Sequence, residues 1–177
     1  MYVNEYMLPV LDILLEYCCD INAFFDGTNH LLKILNLSIH KHTNKHCYKL
    51  AHKLIDFGID VKSDTNIILG YCQSGIHLYN DIIVKLIDGG ADLDCINENG
   101  ETPLMLYCAN NCFVSKDTDL LIKFIMSSDV LAISNSNKIA FDYFKENSSN
   151  RYIKLHPDVL NIFDGSNRHN VKSAKKV

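Results

Sequence analysis

Apolar residues recur along this chain at three- and four-residue spacing, in runs that each end in a stop signal and a short polar turn. The clearest run covers residues 119–126, where the apolar positions crowd one side of a helix. A similar ending occurs four times, in imperfect copies at Leu14–Asn22, Leu54–Lys62, Leu86–Asp94 and Phe124–Ala132. The pattern predicts an all-α chain built from paired helices.

The four endings recur at intervals of 30 to 40 residues. With Cys18, Gly58, Gly90 and Ser128 taken as equivalent, the intervals are 40, 32 and 38 residues. Self-similarity at such a period is typical of stacked-repeat proteins, in which each unit packs only on its neighbours. Because a repeat stack offers no deep closed pocket, the period favours binding over catalysis.

The unit around residues 97–126 shows the pattern best. Asn99 and Gly100 tolerate the positive φ of a tight turn, Thr102 can cap a helix, and Pro103 suits the first helical turn because its missing N–H is unpaired there. We therefore expect a helix that begins at Pro103 and a partner helix over 119–126.

The other units repeat this plan less completely. Helices are predicted at 66–72 and 81–87, the second ending at Gly89-Gly90, and a further helix at 48–57 ends at Gly58. After Ser134 the motif starts again, with Lys138 in the place of the glycine and a degenerate second helix at Tyr152–Phe163. The predicted segments are a partial first repeat at 1–22, repeats at 23–62, 63–95 and 96–134, a degenerate closing half-repeat at 135–164, and a disordered basic tail at 165–177.

The string Gly100–Leu104 (GETPL), with Gly89–Asp94 (GGADLD) in the neighbouring unit, resembles the ankyrin repeat. In that family G-x-T-P-L-H opens the inner helix and G-A-D-V-N closes the outer one, and Met105 stands here at the usual histidine position. The resemblance implies an ankyrin-repeat solenoid of about four to five stacked helix-turn-helix units, with short β-hairpin fingers, a concave binding surface and degenerate or partial terminal repeats. Irregular repeat lengths, richness in tyrosine, asparagine and isoleucine, and the ending Ala140–Phe144 look like the ankyrin proteins of large DNA viruses, poxviruses especially.

In the ankyrin family the fingers and inner helices contact partner proteins. The resemblance implies such contacts at Lys62, Asp64, Asn97, Glu98, Asn99, Glu101, Met105 and Tyr107, and an aromatic anchor at Phe113 in an expanded loop. The alternative is plain turn chemistry, because asparagine, aspartate and glycine are the residues that turns need.

Composition narrows the classes of partner. The formal charge of −4 is modest, and the charged residues are scattered rather than grouped into a basic face, so we expect no nucleic-acid or membrane partner. No apolar stretch approaches the roughly 20 residues that cross a bilayer.

The chain has 7 cysteines, an odd number, and Cys47, Cys72 and Cys108 fall in predicted helix cores. Reduced, buried thiols in a cytoplasmic protein fit that pattern better than a disulfide framework.

Candidate enzyme chemistry is sparse. The cluster His40, His42, His46, Cys47 and His52 invites a zinc interpretation, but its spacing matches no known finger, so a solvated polar loop is preferred. No nucleophile-elbow, phosphate-loop or metalloprotease motif occurs. We therefore expect a non-enzymatic chain without cofactor or metal.

Two further hypotheses come from the ends of the chain. Leu155–Phe163 faintly resembles the opening of an F-box, which in poxviral ankyrin proteins recruits the Skp1 adaptor of cullin ubiquitin ligases; an amphipathic capping helix is the alternative. The predicted helix Leu8–Tyr17 has an apolar flank that nothing before it covers, so the chain is a remnant of a longer protein, or Met1–Met7 folds back, or a partner covers the flank. The primary hypothesis remains a viral interaction scaffold that binds a host protein.

Overall fold

The computed structural model describes residues 9, 12–13, 16–17, 20–23, 45–63, 66–73, 80–110, 118–147 and 153–165. This part of the chain is helical and contains no strand. Residues 9, 12–13 and 16–17 are helical, and a 3-10 helix covers Val61–Ser63. The bounded α-helices are α1 (Lys45–Asp56), α2 (Asn66–Gln73), α3 (Asn80–Asp88), α4 (Pro103–Ala109), α5 (Thr118–Ser127), α6 (Ala140–Glu146) and α7 (Pro157–Phe163).

The chain divides into two compact units, unit 1 at Met1–Asp92 and unit 2 at Leu93–Val177. In unit 1, α1 packs on α3. The contact follows from sequence spacing, because apolar residues three and four apart share one face of a helix. The buried apolar residues of these helices are Leu50, Ala51 and Leu54 on α1, Ile67, Ile68, Leu69, Tyr71 and Cys72 on α2, and Ile82, Ile83 and Leu86 on α3.

Helices α1 and α3 end in the same way, as their sequences predict. Gly58 and Gly90 have φ of 84° and 81°, the left-handed conformation that glycine adopts without steric cost. The amide of Ile59 donates to the Leu54 carbonyl at 3.2 Å, and that of Ala91 donates to the Leu86 carbonyl at 3.0 Å. Each glycine amide also bonds the carbonyl three residues back, which completes a Schellman ending.

In unit 2, α4 packs on α6 and α5 packs on α7. Helix α4 begins at Pro103, as predicted, and the Thr102 hydroxyl accepts the Met105 amide at 3.3 Å. Its side chains from Pro103 to Cys108 are all buried, which makes it an interior helix. Tyr107 stacks on Phe124 of α5, with ring centroids 5.0 Å apart.

The end of α5 differs from the prediction. Ser128 does not take the place of Gly90: its φ is not positive, and its amide bonds the Phe124 carbonyl four residues back, at 3.0 Å. The buried residues Phe124 and Ser128 are four positions apart, whereas Leu86 and Ala91 are five positions apart. Ser128 is therefore the counterpart of Ala91, and the left-handed residue is missing from this ending.

The last motif is also shifted by one residue from its predicted alignment. Asn137, with φ of 60°, takes the position of Gly100, and Lys138 takes that of Glu101. Asparagine is among the few residues that adopt this conformation readily. Helix α6 follows, and the Asp142 carboxylate accepts the Ile139 amide at 3.1 Å.

Helix α7 is shorter than the predicted Tyr152–Phe163 segment and begins at Pro157. The His156 ring nitrogen accepts the Asp158 amide at 3.3 Å and so caps the helix, while proline occupies the first helical turn. Phe163 is fully buried, with its ring 5.2 Å from that of Phe141 and 5.4 Å from that of Phe144. The predicted disordered tail lies, beyond Gly165, outside the described residues.

Candidate protein-binding surface

Two loops of unit 2, here called the first turn (93–101) and the second turn (128–138), share one geometry. In the first, the Asn97 amide donates to the Glu101 carbonyl at 3.1 Å and the Gly100 amide donates to the Asn97 carbonyl at 2.9 Å. In the second, the amides of Ser134 and Asn137 make the equivalent bonds to the carbonyls of Lys138 and Ser134, both at 2.9 Å. The predicted β-hairpins are not seen in the described residues, which contain no strand. In the first turn, Asn97 Oδ1 accepts the Asn99 and Glu101 amides.

The two turns are also joined to each other. The Asp129 amide donates to Asp94 Oδ1 at 2.9 Å, and the Asn135 amide donates to the Asn99 carbonyl at 2.9 Å. The Asn135 side-chain amide donates to the Glu98 carbonyl at 3.0 Å. The two segments are thus held side by side at both ends, which keeps their exposed side chains in a defined arrangement.

Unit 1 contains the same kind of contact. Asn22 Oδ1 accepts the Asp60 amide at 2.6 Å, and its Nδ2 donates to the Gly58 carbonyl at 3.2 Å. Asp20, Asp60 and Asp129 each accept the amide two residues on, in the same Asx turn. A side-chain oxygen of one turn therefore binds the aspartate amide of the following turn in both units.

Glu101 links the first turn to α6. Its carboxylate accepts the Asn97 side-chain amide at 2.9 Å, the Asn99 side-chain amide at 3.4 Å and the Tyr143 hydroxyl at 2.9 Å. Burial raises the pKa of Glu101, but these hydrogen bonds outweigh burial, so the pKa lies below its ordinary value. Burial raises the pKa of the Tyr143 hydroxyl. Glu101 is thus a charged structural residue of the turn.

The predicted binding residues fall into four groups. Lys62, Glu98 and Asn99 are exposed, and Asn97 and Glu101 are half-buried and engaged within the turn. Asp64 and Phe113 lie outside the described residues. Met105 and Tyr107 are buried, with exposed fractions of 1% and 3%.

The prediction that Met105 and Tyr107 are exposed is therefore wrong. Helix α4 is buried from Pro103 to Cys108, where α6 packs on it and Tyr107 stacks on Phe124 of α5. Met105 sulfur also accepts the Thr102 amide at 3.4 Å, so this side chain serves the helix start. The two residues are not part of the candidate surface.

Sequence reasoning missed the exposed apolar side chains of the turns. Ile96 is 62% exposed and Ile133 is 63% exposed, and they occupy matching positions of the two turns. Leu131, in the second turn, is 38% exposed. The available signal was an isoleucine directly before the polar turn residues in two consecutive units.

The predicted zinc cluster is only partly within the described residues. His40 and His42 lie outside them, and nothing is described of the His46 and Cys47 side chains. His52 Nε2 lies 2.8 Å from Asp81 Oδ2, which also accepts the Tyr48 hydroxyl. Burial raises the pKa of Asp81, and the bonds from Tyr48 and His52 outweigh it, so the net shift is downward.

The contact between His52 and Asp81 ties α1 to α3.

Within the described parts of the chain, no group of three or more histidine, cysteine, aspartate or glutamate side chains could hold a metal ion. Cys72 and Cys108 are buried, as predicted, and burial raises the pKa of the Cys108 thiol. Burial therefore disfavours the thiolate, the nucleophilic form of a cysteine, at Cys108.

The segment Leu155–Phe163 uses its apolar residues within unit 2. Leu155 and Phe163 are buried, and Val159, Leu160 and Ile162 are half-buried. The segment would have to unpack before these side chains could contact an adaptor such as Skp1. The capping-helix interpretation needs no such rearrangement.

No protein-family model matches the chain, and no curated protein matches it either. Among the helices of the described residues, none has the length and apolar character to span a bilayer.

Proposed function

We propose that this chain is a non-enzymatic repeat scaffold of the ankyrin type that binds a partner protein through its turns. The observation that carries the proposal is the recurrent bond between consecutive turns. Asn22 binds the Asp60 amide, and Asp94 binds the Asp129 amide, at the same position of each turn. A repeated unit that bonds its neighbour in one fixed way is the defining property of a repeat scaffold.

Preorganisation supports binding as the purpose of this arrangement. A loop that is already held in place loses little conformational entropy when a partner binds. Hydrogen bonds within and between the two turns hold both of them, yet Glu98 and Asn99 remain exposed. Their side chains are thus presented on a fixed framework.

The lineage and location of the chain form a further part of the proposal. The irregular repeat lengths, the richness in tyrosine, asparagine and isoleucine, and the ending Ala140–Phe144 resemble the ankyrin proteins of large DNA viruses. We infer a viral product that acts in the host cytoplasm on a host protein.

Site-specific photo-crosslinking tests the proposal in the cell that produces the protein. A photoreactive residue replaces Glu98 in the first turn, and a matched variant carries it at Glu16, an exposed helical position. We expect a discrete protein adduct from position 98, identified by mass spectrometry, that position 16 does not give. Absence of any adduct at position 98, or identical adducts at both positions, would contradict the proposal.

A further inference from the structure

The two turns of unit 2 form a surface that combines exposed aliphatic side chains with negative charge. Ile96, Leu131 and Ile133 are its apolar members, and Asp94, Glu98 and Asp129 are its exposed acidic members. The bonds Asp129 to Asp94 and Asn135 to Asn99 bracket Ile96 and Ile133, so the two isoleucines lie on adjacent, parallel segments. Exposing two isoleucines at matching positions costs hydration free energy that a partner would recover.

Charge decides which partner fits. The segments 93–101 and 128–138 contain four carboxylates, Asp94, Glu98, Glu101 and Asp129, and one lysine, Lys138. Lys138 Nζ is bonded to the Glu146 carboxylate at 2.7 Å, so its charge is already compensated. The turns therefore present net negative charge around their aliphatic side chains.

This charge argues against the other occupants. A second copy bound symmetrically through the same surface would place carboxylates against carboxylates. Nucleic acid and anionic lipid carry phosphates, which the surface repels. An apolar segment with acidic flanks meets the same repulsion.

We propose that this surface binds a segment of a partner protein in which aliphatic side chains are flanked by lysine or arginine. The inference rests on the proposed function and names the chemistry of the partner. The aliphatic side chains cover Ile96, Leu131 and Ile133, and the basic side chains pair with the carboxylates of Asp94, Glu98 and Asp129. Apolar burial contributes affinity, and the charges contribute association rate and selectivity.

Three labelled peptide pools of equal length test this assignment on the full chain. One pool combines leucine with lysine, one combines leucine with glutamate, and one combines serine with lysine. We expect the leucine–lysine pool to bind at least about tenfold more tightly than the other two, and to weaken as salt is raised. Equal binding of either other pool, or no binding of any pool, would overturn the assignment.

Substitutions in the two turns test whether this surface is the one that binds the leucine–lysine pool. Ile96→Ser with Ile133→Ser should weaken the leucine–lysine pool about tenfold or more, and Glu98→Lys should weaken it and flatten its salt dependence. Met126→Ser, which changes another exposed apolar side chain, and Glu16→Lys, which reverses an exposed charge in unit 1, should leave binding unchanged. Circular dichroism checks that each variant folds.

The two proposals fail in different ways. If the surface variants bind the leucine–lysine pool as tightly as the parent chain, the assignment of this surface is wrong. If a protein adduct still forms from position 98, the scaffold function stands and only the partner chemistry is wrong.

Discussion

At the scale of single residues, the later turn and helix ending of unit 2 differ from the earlier ones at a few positions. Backbone geometry explains these differences. Asn137 substitutes for a glycine because its φ of 60° is accessible to asparagine. Ser128 stands where the preceding ending has Ala91, and both positions are buried. The Ser128 hydroxyl has no hydrogen-bond partner within the described residues, so this position carries an uncompensated polar group.

Ser128→Ala should therefore stabilise the protein by about 1 kcal/mol, because it removes the desolvation cost of an unpaired hydroxyl. Urea unfolding followed by circular dichroism measures the change. Ser134→Ala is the matched control: its buried hydroxyl accepts the Lys138 amide and bonds the Tyr143 hydroxyl, so its loss should destabilise by about 1 kcal/mol. A destabilising Ser128→Ala would show that this hydroxyl is paired in solution.

At the scale of elements, local sequence signals predicted the helices well. Thr102 and Pro103 marked the start of α4, and Gly58 and Gly90 marked the ends of α1 and α3. These signals work because capping involves residues only a few positions apart. The link from Glu101 to Tyr143 joins residues 42 positions apart, and no local signal announces it.

That link makes a prediction about pH. The folded-state pKa of Glu101 lies below its ordinary value of 4.5, so the stability it contributes is present above that pH and is lost as pH falls through the folded pKa. Glu101→Gln should cost about 1 kcal/mol at neutral pH, a value discounted for partial exposure, and the cost should shrink below pH 4.5.

Urea unfolding of the parent chain and the variant across this pH range measures the effect. Glu98→Gln, at an exposed position of the same turn, is the control and should change the free energy of unfolding by no more than about 0.5 kcal/mol. A Glu101→Gln cost that stays constant down to pH 3 would count against the charged network.

At the scale of the whole molecule, each unit has its own core, and unit 2 ends in an aromatic cluster. Phe163 of α7 contacts Phe141 and Phe144 of α6, and α7 also packs on α5. The F-box resemblance drew attention to Phe163 for a different reason. The burial of this ring assigns it first to the stability of unit 2.

Phe163→Ala should destabilise by about 4 kcal/mol, because it removes a fully buried ring and leaves a cavity. Hydrogen exchange should show the loss of protection in α4 to α7. Met126→Ala, which truncates a side chain that is 56% exposed, should change stability by no more than about 0.5 kcal/mol. Equal effects of the two variants would contradict the packing of α7.

The amino-acid sequence by itself determined the helical class and most helix boundaries, because these depend on hydrophobic spacing and on bonds between near neighbours. It also placed Glu98 and Asn99 in an exposed turn. Only the tertiary structure decided that Met105 and Tyr107 are buried and that Ile96 and Ile133 are exposed. Exposure depends on what packs against a residue, and here the contacts that hold the turns, such as Asp94 with Asp129 and Glu98 with Asn135, join residues 35 and 37 positions apart.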